Sequence, residues 1–117
     1  LETLAPSLVE RWLTPAFRER EPVATRLLTD MLGRTSNPGY SRNCAALRDA
    51  DLRPRAAAVA APTLVIAGSH DLAATPEQGR ELAAAIVGAR YVELDSSHIS
   101  NWEQPEAFTR ALLDFLA

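Results

Sequence analysis

The sequence predicts an α/β fold in which helical segments, residues 1–52, precede a unit of parallel strands and helices, residues 53–117. Residues 63–67 form an apolar run without polar alternation, as in a strand that is covered on both faces. A second β-favouring run, residues 91–94, follows after a helical pattern. Because a strand–helix–strand unit with short loops is a crossover connection, we expect the two strands to be parallel and adjacent.

The first part of the chain has apolar side chains at helical spacing and no strand-like run. A break is expected at Thr14-Pro15, and Pro22 and Pro38 suit the first turns of two further helices. Cys44 is interpreted as a small buried side chain on the third helix. The apolar stripes of the three helices are Leu4, Leu8, Trp12 and Leu13, then Val23, Leu27, Met31 and Leu32, then Tyr40, Cys44 and Leu47.

Turn and capping residues set the ends of the predicted core elements. Gly68 follows the first strand and lets the chain turn sharply. Thr75 and Gln78 fit a capping box that begins the intervening helix, and Gly88 ends it. The last helix is expected over residues 105–117, with its apolar face packed on the sheet.

The composition is that of an ordinary globular domain and excludes several classes of function. The chain has 117 residues, 47% of them apolar and 23% charged, and a net charge of −3. Its 12 basic residues are all arginines and are scattered, so no basic stripe for nucleic acid is present. No apolar run suits a membrane span and no signal-peptide pattern opens the chain. The single cysteine favours a reducing compartment, so we expect the cytoplasm.

The start of the sequence and the number of strands predict a longer protein. The chain starts with Leu1, and its one methionine is Met31. Two parallel strands leave sheet edges unpaired, whereas parallel sheets normally contain more strands. We therefore expect this chain to be a fragment of a longer protein, whether proteolytic, truncated or one half of a split chain.

Asp71 and His98 each lie four residues beyond the end of a predicted strand. Neighbouring parallel strands are roughly 5 Å apart and end at the same edge of the sheet, where ligands and chemistry gather. We therefore expect the two side chains to form a hydrogen bond. In such a pair Asp71 accepts the Nδ1–H of His98, and Nε2 of His98 takes a proton from a nucleophile.

Each of these residues also has a plainer interpretation. An Asx turn or helix cap would account for Asp71, and a bond to a neighbouring carbonyl would account for His98. Asp95 is a rival acid, although it stands three residues before the histidine and suits a turn cap. His70 is interpreted as a solvated loop residue. The two histidines and one cysteine form no metal-ligand set at these spacings.

The nucleophile of such a mechanism is absent from the sequence. No G-x-S-x-G occurs. Six serines lack the strand–turn–helix context that presents a nucleophile, namely Ser7, Ser36, Ser41, Ser96, Ser97 and Ser100. The oxyanion hole, which is built partly from the backbone after that serine, would be absent as well. We therefore expect this chain to be inactive by itself.

Three runs of the sequence resemble the C-terminal part of α/β-hydrolases, namely residues 61–71, 92–98 and 101–108. The catalytic residues of that fold follow the chain order Ser, Asp, His, and this chain carries the last two. A finer resemblance is to 3-oxoadipate enol-lactonases. It rests on residues 10–12, 44–54 and 98–105.

The resemblance implies a function and a division of the chain. Asp71 would be the catalytic acid and His98 the base, and the serine has no position here. Residues 1–52 would be most of the helical cap (lid), and residues 53–117 the C-terminal part of the core. The implied reaction is hydrolysis of 3-oxoadipate enol-lactone in aromatic catabolism (the β-ketoadipate pathway), with no cofactor. The implied partners are the small-molecule lactone and the N-terminal half of the core.

The binding roles and the substrate class leave alternatives open. Trp12 is either a packing residue or a substrate-binding residue of the cap. Because the substrate carries carboxylates, an arginine partner is expected, and Arg11, Arg42 and Arg48 are equal candidates. The alternative functions are another α/β-hydrolase (an esterase, a C–C hydrolase or a haloperoxidase-like protein) and a non-catalytic hydrolase-fold module.

Overall fold

The computed structural model describes residues 1–117, which form eight helices and two strands. A helical segment comes first and is followed by a strand–helix–strand unit and two closing helices. In chain order the elements are α1 (Ala5–Trp12), α2 (Pro15–Arg20), α3 (Pro22–Gly33), α4 (Asn37–Asp49), α5 (Arg53–Ala56), β1 (Leu64–Gly68), α6 (Pro76–Ala85), β2 (Arg90–Leu94), α7 (Ser100–Glu103) and α8 (Pro105–Leu116).

The two strands are parallel and adjacent, which confirms the prediction from the crossover pattern. Leu64 pairs with Arg90 at one end of the ladder and Gly68 pairs with Leu94 at the other. β1 lies one residue later than predicted and β2 begins one residue earlier. Both α6 and α8 contact both strands. The strands therefore end level with each other, and the loops that follow leave from one edge of the sheet.

The predicted capping box at the start of α6 is present. Thr75 accepts a hydrogen bond from the Gln78 N–H, and the Gln78 side chain accepts one from the Thr75 N–H. α6 ends at Ala85, before Gly88, which lies in the turn into β2 with a φ of +76°. α6 also approaches the sheet closely, because a Cβ on Gly79 would lie 3.2 Å from the Ala67 side chain.

The buried core of the chain lies in the helical segment and reaches the loop after β2. Its centre is Val9, Leu13, Phe17 and Leu28. The partly buried side chains packed against this cluster include Trp12 from α1 and Ile99 and Trp102 from beyond β2. The helical segment is therefore packed directly on the segment that contains His98.

The predicted apolar stripes of the helical segment were wrong in detail. α1 buries Ala5 and Val9, whereas Leu4 is 54% exposed. The line of Leu4 and Leu8 and the neighbouring line of Ala5 and Val9 have the same helical spacing. Periodicity alone therefore cannot choose which of the two lines is buried. On α3, Leu28 is buried and Leu27 and Met31 are half exposed.

Cys44 is exposed, so its interpretation as a buried side chain is wrong. The physical reason is that α4 buries none of its residues, since its apolar positions pack against nothing that would exclude water from them. On β1, Leu64, Val65 and Ile66 are only half buried although the run is continuously apolar. None of the helices has the length and apolarity that crossing a membrane requires.

Candidate active site

Asp71 and His98 form a hydrogen bond at the edge of the sheet where both strands end. His98 Nδ1 lies 2.8 Å from Asp71 Oδ2. Asp71 is 6% exposed, and the side chain of His98 is 36% exposed. The level ends of β1 and β2 place the two loops side by side, which is why residues far apart in the chain meet here.

The second oxygen of Asp71 is used by its own loop. Asp71 Oδ1 accepts hydrogen bonds from the backbone N–H groups of Ala73, at 2.7 Å, and Ala74, at 3.0 Å. The Asx turn and the Asp–His pair, which the sequence offered as alternatives, are therefore both present on different oxygens. This arrangement fixes the orientation of the carboxylate toward His98.

Backbone hydrogen bonds hold the two loops together beyond the last ladder pair. Ser69 N–H donates to the Leu94 carbonyl and His70 N–H donates to the Ser96 carbonyl, at 2.8 and 2.9 Å. The loop after β2 crosses Gly68 so closely that a Cβ there would lie 2.2 Å from the Ser97 carbonyl oxygen. The predicted turn after Gly68 is present, since Asp71 N–H donates to the Gly68 carbonyl at 3.1 Å. Gly68 has no positive φ, so what requires a glycine here is the close approach of the loop.

His98 is bonded through one nitrogen and contacts an aromatic ring of the helical segment. Its only side-chain hydrogen bond is the one from Nδ1 to Asp71. The ring of Trp12 lies 5.6 Å from the His98 ring, centroid to centroid, with the planes tilted by 34°. Trp12 also packs against the core cluster, so it is both a packing residue and a neighbour of the candidate base.

A groove of about 290 Å³ runs beside His98 along β1. Asp71, His98 and Ser100 line its polar side. Its other walls are Val65, Ile66, Ala67, Gly68, Ala74, Gln78, Gly79 and Leu82. Only one edge of β1 is paired, since the sheet has two strands. The groove therefore places the candidate base next to the part of β1 that β2 does not cover.

Asp95 pairs with the other histidine, not with His98. Asp95 Oδ1 lies 2.7 Å from His70 Nε2, with side chains that are 84% and 58% exposed. The interpretation of Asp95 as a turn cap is therefore wrong, because its carboxylate reaches across to the β1 loop. His70 is exposed as predicted, although it has a partner.

The structure separates the three arginine candidates. Arg11 donates through Nη2 to the Leu72 carbonyl at 3.2 Å and lines a different groove, of about 840 Å³, with His70 and Asp71. Arg48 is paired with Asp49, which raises the pKa of its guanidinium, and Arg42 is exposed. None of the three lines the groove beside His98.

Sequence reasoning missed Glu103, a buried carboxylate close to the candidate base. It is 6% exposed and accepts hydrogen bonds from Ser97 N–H and from Thr14. The available signal was a charged residue next to Trp102 on a helix of four residues, too short to show periodicity. No group of three or more His, Cys, Asp or Glu side chains in residues 1–117 is placed to hold a metal ion.

The chain has relatives among enol-lactonases. It is 40% identical over 112 residues to 3-oxoadipate enol-lactonase 2 of Acinetobacter baylyi. That alignment covers 96% of this chain and 42% of the relative. It is 34% identical to 3-oxoadipate enol-lactonase 1 of the same organism over 99% of this chain and 44% of the relative. No protein-family model matches the chain.

Solved structures that superpose on nearly the whole chain also include an enol-lactonase and a hydrolase. The enol-lactonase from Burkholderia xenovorans superposes on 97% of this chain and 44% of its own, with a TM-score of 0.95 and 55% identity. A hydrolase from Pseudomonas aeruginosa covers 98% of this chain with a TM-score of 0.93 and 40% identity. The chain thus spans less than half the length of the proteins it matches. It has the fold of the C-terminal portion of α/β-hydrolases, and its relatives along nearly its whole length are 3-oxoadipate enol-lactonases.

Proposed function

We propose that this chain supplies the acid and the base of a Ser–His–Asp hydrolase that opens 3-oxoadipate enol-lactone. The observation that carries the proposal is the hydrogen bond from His98 Nδ1 to Asp71 Oδ2, with Nε2 left free beside the groove along β1. The serine and the oxyanion hole belong to the N-terminal part of the fold. The 117-residue chain is then inactive by itself.

The proposed reaction has two steps that use the same histidine. His98 Nε2 accepts the serine proton as the serine attacks the lactone carbonyl, and Asp71 stabilises the imidazolium. The ring C–O bond breaks, and the enolate that leaves takes the proton from the His98 imidazolium and becomes a ketone, which restores the neutral imidazole. Water, activated by His98, then cleaves the acyl-enzyme ester to give the acid. No cofactor takes part.

The packing of the two segments supports a different role for each of them. Residues 1–52 act as the cap and bring Trp12 against the His98 ring, where we place substrate. Residues 53–117 are the C-terminal part of the core and carry both catalytic side chains. We assign the reaction to aromatic catabolism because the relatives are 3-oxoadipate enol-lactonases. We place the protein in the cytoplasm because its single cysteine is exposed and free.

A related hydrolase activity is the competing candidate. A Klebsiella pneumoniae 2-hydroxy-6-oxononadienedioate/2-hydroxy-6-oxononatrienedioate hydrolase is 34% identical, but over 57% of this chain only. A bromoperoxidase-named protein of Mycobacterium tuberculosis is 42% identical over 50% of it. The enol-lactonases align in sequence over the helical segment as well, at 40% and 34% identity, and this favours a lactone substrate because cap residues shape the pocket.

A hybrid enzyme tests the proposal. Residues 1–117 replace the matching C-terminal part of the Burkholderia xenovorans enol-lactonase, and hydrolysis of 3-oxoadipate enol-lactone is followed by ultraviolet absorbance. We expect turnover by the hybrid, none by its His98→Ala variant and none by the 117-residue chain. A folded hybrid that cleaves p-nitrophenyl acetate but not the lactone would favour an esterase. A folded hybrid that cleaves neither would favour a non-catalytic module.

A further inference from the structure

Glu103 joins the helical segment to the residue that precedes His98. Its Oε1 accepts a hydrogen bond from Ser97 N–H at 2.9 Å. Its Oε2 accepts one from the Thr14 hydroxyl at 2.5 Å, and Thr14 N–H lies 3.3 Å from both oxygens. We call Thr14, Ser97 and Glu103 the interlayer clamp. It spans from the N-cap of α2 to the loop after β2.

The residues on both sides of His98 are also bound to the end of α1, Ser97 through its side chain and Ile99 through its backbone. The Ser97 hydroxyl donates to the Arg11 carbonyl at 3.1 Å, and Ile99 N–H donates to the Trp12 carbonyl at 3.2 Å. Carbonyls in the last turn of a helix lack partners within that helix. The loop that contains His98 satisfies them, so its position depends on the helical segment.

The surroundings of Glu103 do not explain it as a structural ion pair. No arginine or histidine forms an ion pair with it anywhere in the chain. A buried carboxylate without a cation is costly, and an apolar side chain of similar volume would pack at lower cost. What the carboxylate provides is two acceptor oxygens that face three donors on two segments.

We propose that Glu103 is a positioning residue for His98, acting through Ser97. This rests on the proposed role of His98 as the base. The His98 side chain has one hydrogen bond, so the direction of Nε2 is set by Asp71 and by the flanking backbone. Without the interlayer clamp, Ser97 is free to move and Nε2 loses its alignment with the reacting serine.

The kinetic test compares two Glu-to-Gln changes in the hybrid enzyme. Glu103→Gln keeps the volume but replaces one acceptor oxygen by an NH₂ group, so the three donors of Thr14 and Ser97 face a single acceptor oxygen. We expect kcat to fall about 10²-fold, the effect of a misplacement of about 1 Å, with a much smaller change in KM. The matched control is Glu106→Gln on the exposed face of α8, which should keep the parental kcat.

A second readout needs no activity. In the ¹⁵N-labelled hybrid, the His98 Nδ1–H resonance reports its bond to Asp71. We expect this resonance to shift or broaden in Glu103→Gln and to stay unchanged in Glu106→Gln, at a temperature where thermal unfolding shows each variant to be folded. If Glu103→Gln lowers only the melting temperature and leaves both kcat and the resonance unchanged, the proposal is wrong. A folded wild-type hybrid without turnover would contradict the proposed function and leave this readout decisive for Glu103.

A milder variant covers the case in which Glu103→Gln does not fold. Ser97→Ala removes the hydroxyl that reaches the Arg11 carbonyl and keeps the bond from Ser97 N–H to Glu103. We expect it to move the His98 resonance in the same direction by a smaller amount. An unchanged resonance would show that tethering of Ser97 does not position His98.

Discussion

Asp71 and His98, 27 residues apart in the chain, are joined by a hydrogen bond of 2.8 Å from Nδ1 to Oδ2. The other carboxylate oxygen of Asp71 is occupied by two backbone N–H groups of its own loop. The Asp71 carboxylate is thus held by its own loop through one oxygen and holds the imidazole through the other.

Replacing Asp71 by asparagine should nearly abolish turnover of the hybrid enzyme. The asparagine oxygen stays with the N–H groups of Ala73 and Ala74, so the NH₂ group faces His98 Nδ1. It then holds His98 with the proton on Nε2, where the base is needed. We expect kcat to fall about 10⁴-fold, as for a triad aspartate, with KM little changed. Asp30→Asn, on an exposed position of α3, is the control. Parental turnover in Asp71→Asn would remove this residue from the mechanism.

His70→Ala should leave turnover within about twofold of the parent. Its partner is Asp95, and both side chains are largely exposed. Exposed ion pairs contribute about 0–1 kcal/mol, so the free energy of unfolding should change by no more than that. Steady-state kinetics and urea unfolding check both statements, with His98→Ala as the contrasting variant. A collapse of the rate in His70→Ala would show that the wrong histidine had been assigned.

Gly68→Ala should destabilise the fold and disturb the site. Its Cβ would lie 2.2 Å from the Ser97 carbonyl oxygen and 2.5 Å from that of Ser96, so the loop before His98 must move. Overpacking of this kind costs about 1–3 kcal/mol or more. Gly39→Ala on α4 is the matched control, because its Cβ meets Ser36 at an ordinary 3.6 Å.

Chemical denaturation and lactone turnover separate the two glycine variants. We expect lower stability and lower turnover in Gly68→Ala only. Since alanine favours helix over glycine by about 1 kcal/mol, Gly39→Ala should be neutral or slightly stabilising. Equal stability of the two variants would mean that the loop after β2 does not cross Gly68 as described.

The phenol of Tyr91 should titrate above its ordinary range. Burial, and then the hydrogen bond to Glu93, raise the pKa of Tyr91. A raised pKa stabilises the fold while the phenol is protonated. That contribution is present below the unfolded value of about 10 and is lost as the pH rises through the folded pKa. Absorbance at alkaline pH, with Tyr91→Phe as the reference, measures it. Titration of Tyr91 at or below the ordinary value would contradict the described contacts.

Local patterns in the sequence determined the parts of this protein that depend on neighbouring residues. The apolar run before Gly68 and the Thr75–Gln78 capping box could be predicted because each is decided within a few residues. The parallel pairing of the strands could be predicted because a strand–helix–strand unit with short loops favours a crossover connection. Parallel, adjacent strands then place the loops after them side by side. That is why the contact between Asp71 and His98 could be predicted from the sequence.

Tertiary structure decided what depends on segments distant in the chain. Two lines of side chains on α1 have equal periodicity, and only packing chose Val9 over Leu8 for the core. Cys44 is exposed because no other part of the chain packs on α4 closely enough to bury its residues. The Asp95 carboxylate pairs with His70. Glu103 accepts hydrogen bonds both from Thr14, the N-cap of α2, and from Ser97 in the loop that contains His98. A carboxylate is placed by the donors that three-dimensional folding brings to it, and sequence spacing does not encode those donors.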